Sequence, residues 1–464
     1  MVVTGRGLFR FATGNSKPPK GLELDGDAAA LRARRLRYAI TASLLSKVTT
    51  AGVQLIAMPV ALVSLGAHGF SLLAMLTAAV GWLALSNVGF GPALVVNLAA
   101  AHATNDFEKE DGIFSSAFIP VLAISTVVSS FAGLGIALAP IDSIFGPLYT
   151  PDAHTIRWGL IALVAVFFLQ TNMSTFESAQ AGYQEQYIYG LNATVSSIPC
   201  IVGVIIVAKY FPSPIGVLLA MNIPVVVFRF INSLFVMGKH PRTIPSLRAF
   251  RWRICKKLAR GGATFSLAGS AGNLLSHVLP VILVGRVFSA DITASFAATM
   301  SAIVLASGVV SMLCTPLWPA IADSETRGDR GWARSSYHRL VWFVMVFGLF
   351  FAVFLALKGP WLFGVWFQGR INPSRGLLAA AGLYFVALCW EASHFTILVG
   401  LRRITVASML VFARSALGAL AMIIGLRSRN EATPYIAMFL AVMLVDAIPL
   451  RRLVHGRLSY IKKG

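Results

Sequence analysis

Charge is scarce in this 464-residue chain. Asp, Glu, Lys and Arg together make up 12% of it, against 57% hydrophobic residues, and the mean hydropathy is +0.75. No water-soluble domain of that length is built this way. Cysteine is also rare: Cys200, Cys255, Cys314 and Cys389 are scattered, with no CxxC pairing and no His/Cys cluster. That spacing gives neither a disulfide frame nor a metal site. A GxxxxGK[ST] phosphate loop is missing, so ATP hydrolysis is not built in. GxSxG, HExxH and paired-carboxylate loops are missing as well, and no loop is long enough to form an active-site lid. These absences point to movement of a cargo and away from an enzyme.

What is present is hydrophobic length. A spanning helix needs roughly 20 mostly apolar residues, because a backbone in lipid must satisfy its own hydrogen bonds. Twelve such spans are predicted, at about 39–65, 70–100, 112–139, 156–182, 190–209, 215–237, 263–287, 292–321, 340–358, 376–401, 404–425 and 434–454. The expected fold is therefore an all-α polytopic membrane protein. Residues 1–37 read as a largely disordered basic arm, because they show no helical apolar period and are rich in Gly, Pro and charge. The first apolar run is too long and too late for a cleaved signal peptide.

Lys and Arg number 39 against 18 acids, a net charge of +21. These cations cluster in the arm (Arg32, Arg34, Arg35, Arg37), between Lys239 and Arg260, and at the C-terminus (Arg451, Arg452, Arg457, Lys462, Lys463). Short loops rich in Lys and Arg stay cytoplasmic, and an even number of spans places both termini there. Arg370, Arg427 and Arg429 fall on the outer side and weaken this pattern without reversing it. No aromatic-and-basic module accompanies the charge, so nucleic acid is not the expected partner.

The chain also looks duplicated. Met58-Pro59-Val60-Ala61-Leu62-Val63 in span one recurs as Leu279-Pro280-Val281-Ile282-Leu283-Val284 in span seven. Met221 and Arg229 in span six are echoed by Met438 and Asp446 in span twelve. Two six-helix halves in one orientation mark a transporter, with its path between the halves. The expected domains are an N-lobe at 38–238, a basic linker at 239–260, a C-lobe at 261–454 and a basic tail at 455–464.

Ionisable residues inside spans are costly and therefore suspect. Lys47 either faces a cavity, where it would attract an anion, or snorkels to the surface. Glu391 and Arg414 lie equally far from the turn at Arg402-Arg403, so a helical hairpin holds them level, as a structural pair or as a cavity site. Arg229 and Asp446 are expected to reach the inner interface. Gln170, Asn172 and Glu177 form a polar stripe on span four that either lines a cavity or bonds to other helices. Asn87, Gly89, Gly91, Pro92 and Asn97 mark span two as kinked, at a hinge or at a packing bend. Pro59, Pro280 and Pro316 add further bends. Asn273 and His277 lie one turn apart on span seven and are candidates for sugar or phosphate contacts. A lone buried His such as His277 is more often a satisfied core residue than a ligand.

Three stretches resemble the polysaccharide (O-antigen and exopolysaccharide) flippases of the multidrug/oligosaccharidyl-lipid/polysaccharide exporter superfamily. They are Pro59 to Gly66 with Gly69-Phe70, Leu85 to Ala93, and Thr315 to Asp323. In the second stretch Asn87 and Val88 stand where the family usually has an acid and an aromatic residue. The resemblance implies two six-helix lobes around a V-shaped, often cationic cavity. It also implies transfer of polyprenyl-diphosphate-linked oligosaccharide from the cytoplasmic to the periplasmic leaflet of a bacterial inner membrane. A polysaccharide polymerase and a chain-length regulator are implied partners beside the lipid bilayer.

No single residue role carries over from the family. On the chain's own chemistry, Lys47 and Arg414 are the candidates for phosphate attraction, with Asn87, Asn97, Asn273 and His277 lining the cavity. Glu391, Asp446 and Glu177 are candidates for H+ or Na+ coupling, and no other cofactor is expected. The rival readings are an ion-coupled multidrug or small-molecule antiporter of the same superfamily, a membrane polymerase or ligase, and a scaffold subunit.

Overall fold

The computed structural model describes residues 26–80, 89–103, 107–140, 145–183, 185–314, 317, 321, 330–401 and 403–447. Helix dominates throughout. The N-terminal half contains α1 (Gly26–Val80), α2 (Phe90–Ala103), α3 (Phe107–Leu138), α4 (Ala153–Gly182), α5 (Gln186–Tyr210) and α6 (Pro214–Lys239). The C-terminal half contains α7 (Trp252–Asn273), α8 (Leu279–Val287), α9 (Ala290–Cys314), α10 (Arg330–Trp366), α11 (Arg375–Gly400), α12 (Ile404–Gly425) and α13 (Thr433–Val442). Ten helical segments among the described residues are long and apolar enough to cross a membrane. Helix α1 starts inside the segment expected to be an arm.

Two places differ from twelve plain rods, and each has a local cause. Gly66 has φ 70° and ψ 178°, a conformation essentially reserved for glycine, and there α1 turns from the first span into the second. The second span is then divided, with α2 beginning after Gly89 at φ 76°. Pro92 therefore sits in the first turn of a helix, where its missing N–H costs nothing, and not at a kink within a continuous rod. In span seven, α7 passes into a π turn at Leu274–Val278 before α8, and Pro280 occupies the first turn of α8.

Within the N-lobe, α1 packs along α5, α5 on α6, and α4 on α3 and α6. Within the C-lobe, α10 packs on α11, α11 on α13, and α12 on α7 and α13. The lobes meet where α1 packs on α8 and α9 and where α2 and α3 pack on α7. One large apolar core crosses the first junction through Phe70, Met75, Val284, Phe296 and Phe367. Gly285 makes the approach close, because a Cβ there would lie 2.2 Å from Met75 Sδ. A second core, with Leu98, Phe114, Phe176, Cys255 and Leu258, fills the junction with α7. Large apolar side chains such as Phe131, Leu138, Phe350 and Leu357 point outward, as lipid requires.

Pro59 shows how a broken helical bond is repaired across the junction. Lacking an N–H, it cannot bond the carbonyl of Leu55 one turn back. The indole Nε1–H of Trp366, on α10 of the other lobe, donates to that carbonyl at 2.9 Å.

Candidate functional site

The C-lobe holds a partly open cavity of about 480 Å³ between α7, α9, α11 and α12, lined by apolar and polar side chains together. Glu391 on α11 and Arg414 on α12 meet on its wall, with Arg414 Nη1 2.6 Å from Glu391 Oε2 and both side chains nearly buried. The hairpin turn at 401–403 puts them at one level, and their opposite charges close the gap. Two charges taken out of water tolerate one another only as such a pair. His277, one turn beyond the end of α7, lines the same cavity from the π turn.

Hydroxyls complete the lining, from Ser270, Ser307 and Ser408 among others. Ser307 Oγ, Ser408 Oγ and His277 Nδ1 are buried without a hydrogen-bond partner among the described residues. Buried polar atoms are nearly always bonded, so these three stand out beside the cavity. Behind this wall several polar groups are paired. Ser276 and Ser415 bond at 2.8 Å. His394 Nδ1 sits 2.7 Å from the Trp390 carbonyl and so carries the proton, leaving Nε2 to accept from Tyr337 O–H at 2.9 Å. Sequence reasoning missed these serines and His394, because isolated Ser and His residues in apolar helices carry no spacing signal.

The N-lobe answers with a ladder. Three polar residues on α4 each meet the residue 52 positions later on α6: Gln170 with Asn222 at 3.4 Å, Glu177 with Arg229 at 3.1 Å, Gln180 with Asn232 at 2.9 Å in both directions. A constant offset requires parallel helices in fixed register. Asn172 donates to Ser125 on α3 at 3.0 Å. The polar stripe on span four is thus interhelical bonding. Arg229 pairs with the carboxylate of Glu177.

A sequence model of the family described as "Polysaccharide biosynthesis protein" matches residues 38–325. The chain belongs to that family. No curated protein matches it. This polysaccharide biosynthesis protein has the fold of MOP-superfamily transporters. It is similar to an inward-facing multidrug resistance MATE family transporter of the MOP superfamily, with 13% identity and TM-score 0.68 over 89% of this chain and 96% of the other. A MATE structure in the straight conformation aligns with 16% identity and TM-score 0.62 over 93% and 96%. A MOP superfamily transporter from Pyrococcus furiosus, described as having reversed polarity of its binding pocket, aligns with 15% identity and TM-score 0.62 over 92% and 96%.

The remaining candidates of this family member fall elsewhere. Lys47 lies half-buried on α1, away from the C-lobe cavity wall. Asn97 turns its amide onto its own helix, donating to the Ala93 carbonyl at 2.8 Å. Gly91 lets α2 approach α4, since a Cβ there would meet Ser178 Oγ at 3.0 Å. Asn87 and Pro316, and the side chains of Asn273 and Asp446, lie outside the described residues.

At the opposite end of the lobes, the turn at 145–152 wedges between them. Tyr149 O–H and Ser71 Oγ lie 2.7 Å apart, and His68 Nε2 is 2.6 Å from Asp152 Oδ2. Burial pushes the Tyr149 phenol up, so it stays a neutral hydrogen-bonding group. Gly146 leaves room for the Arg286 backbone, 3.2 Å from where its Cβ would be.

Proposed function

We propose that the protein is a flippase, carrying polyprenyl-diphosphate-linked oligosaccharide repeat units from the cytoplasmic to the periplasmic leaflet of a bacterial inner membrane. Both termini would lie in the cytoplasm. The observation that supports this reading best is the C-lobe cavity, a cleft between apolar helices with hydroxyls and an arginine on its wall, in a chain of a polysaccharide biosynthesis family. The cargo has a hydrophilic, anionic head that cannot cross hydrocarbon and a tail that can remain in it. The cavity supplies hydroxyls for the sugar and Arg414 for phosphate.

The Glu391–Arg414 pair suggests how transport is coupled. A diphosphate that draws Arg414 to itself leaves Glu391 without its counter-charge. A proton or Na+ at Glu391 would restore neutrality, so cargo and ion would exchange places on the pair as one lobe rocks against the other. Lys47 and Asn97 would line the path outside this cavity, with Asn87, Asn273 and Asp446 as further candidates. A polymerase and a chain-length regulator would consume the delivered units.

The test is deletion of the gene and mass spectrometry of the polyprenyl-linked intermediates. Complete oligosaccharide units should accumulate on the cytoplasmic leaflet. Wild type should clear them, and the paired variant E391Q/R414Q, which removes both charges together, should not. Accumulation of incomplete units, or their appearance unpolymerised in the periplasm, would make the protein an assembly enzyme instead. A changed drug-resistance profile with normal polysaccharide would favour the multidrug antiporter.

A further inference from the structure

The linker and the start of α7 hold a cation face that the C-lobe cavity does not use. Residues 240–251 are docked on the N-lobe. Ser116 Oγ accepts from Arg251 N–H at 2.9 Å and donates to the Arg251 carbonyl at 3.2 Å, and Ser115 Oγ accepts from Ser246 N–H at 3.2 Å. Three linker-region cations are matched to acids of the N-lobe: Lys239 to Glu185 at 2.8 Å, Arg242 to Glu110 at 3.6 Å, and Arg251 to Glu108. His240 stacks on Tyr183 with ring centroids 4.0 Å apart. The segment is therefore a fixed surface.

Helix α7 then separates its two faces completely. Cys255 and Leu258 are buried in the N-lobe core. Arg253, Lys256, Lys257 and Arg260 recur at i, i+3, i+4 and i+7, which places all four on one stripe opposite the buried pair. All four are exposed, and among the described residues none is ion-paired, nor is Arg248 just before them. Beside this stripe stand two large apolar side chains, Leu247 at 81% and Trp252 at 65% exposure. Arg260 comes just before the expected start of span seven at 263, so the stripe lies at the level where hydrocarbon gives way to headgroups.

Retention of basic loops on one side of a membrane accounts for cations in this segment. It does not account for their collection on one helical face, for the pairing of Lys239, Arg242 and Arg251 while the stripe is left open, or for the adjoining Trp and Leu. Those features together match an interfacial helix, with apolar side chains entering the acyl boundary and cations meeting phosphates. We infer that this face binds the phosphate headgroups of anionic phospholipid in the adjoining leaflet. Charge complementarity and the interfacial anchors Trp252 and Leu247 specify that occupant. The inference stands whether or not the cargo is a lipid-linked sugar.

The full-length protein would be placed in nanodiscs of phosphatidylcholine, alone or mixed with phosphatidylglycerol. Its Tm would be read in each, and bound lipid counted by native mass spectrometry. Wild type should gain several degrees in the mixed discs and carry phosphatidylglycerol into the gas phase. R253Q/K256Q/K257Q/R260Q should lose both effects while matching wild type in phosphatidylcholine. If that variant does not fold, K256Q/K257Q should lose part of both. R427Q/R429Q, at a different turn, should behave as wild type. Salt near 1 M, where the screening length falls to about 3 Å, should erase the gain. The inference is overturned if wild type gains nothing, or if the stripe variants gain as much as wild type. It is also overturned if inorganic diphosphate added to phosphatidylcholine discs gives the same gain, since the face would then be a site for free phosphate.

Discussion

The two lobes bury one acid–arginine pair each and surround it differently. In the N-lobe, Glu177 and Arg229 form the middle rung of a ladder whose outer rungs, Gln170–Asn222 and Gln180–Asn232, bond side chain to side chain. In the C-lobe, Glu391 and Arg414 form the wall of a cavity whose neighbouring His277, Ser307 and Ser408 keep unbonded polar atoms. The same chemistry joins two helices along a ladder in one lobe and stands on a cavity wall in the other. The difference is the company: paired amides on both sides fix two helices in register, whereas the C-lobe pair has a cavity and hydroxyls beside it.

The largest effect should come from breaking the C-lobe pair on one side. Glu391→Gln strands Arg414 in the lobe interior and should destabilise the protein by about 3–5 kcal/mol, whereas E391Q/R414Q should recover most of that loss. Thermal unfolding in detergent reads both. Full recovery of stability without recovery of transport would mark the pair as functional, and recovery of both would reduce it to packing.

A smaller effect is expected at the junction. Trp366→Phe leaves the Leu55 carbonyl unbonded and should cost about 1–3 kcal/mol. Pro59→Ala in the same chain restores an N–H to bond that carbonyl and should rescue it. A double variant no more stable than Trp366→Phe would contradict the account of that bond.

The smallest effect belongs to the ladder. Removing one rung as Q180L/N232L should cost only about 0.6 kcal/mol, because helices unfolded within a membrane find other polar partners. A loss as large as that of Glu391→Gln would show that the ladder does more than hold α4 to α6.

Much of this was legible in the sequence, for a reason specific to membranes. Lipid forces whole spans to be apolar, so the all-helical membrane fold and the turn at Gly66 could be read from hydropathy and one glycine. The meeting of Glu391 with Arg414 followed from equal distance to a tight turn. The pairing of Arg229 with Glu177 was not legible, because the two lie 52 positions apart in the chain and no local rule joins them. The ladder stayed hidden for the same reason, since its regularity lies in the offset between α4 and α6 and not in either helix. The division of span two also escaped: Gly89-Phe90-Gly91-Pro92 reads as a kink, and only its position relative to α2 shows it to be a helix start. The cavity serines could not be singled out among the many that bond harmlessly to their own helices, as Ser233 does to Arg229 at 2.9 Å.

The placement of these contacts bears on how the lobes can move. The Glu177–Arg229 and Glu391–Arg414 pairs each lie inside one lobe, while Met75 meets Gly285 across the junction as an apolar knob in a shallow notch, with the Trp366–Leu55 hydrogen bond also crossing it. Parting the apolar stretch of this seam would strand no charge, so a change in the angle between the lobes would leave the electrostatic bonds that define each of them intact.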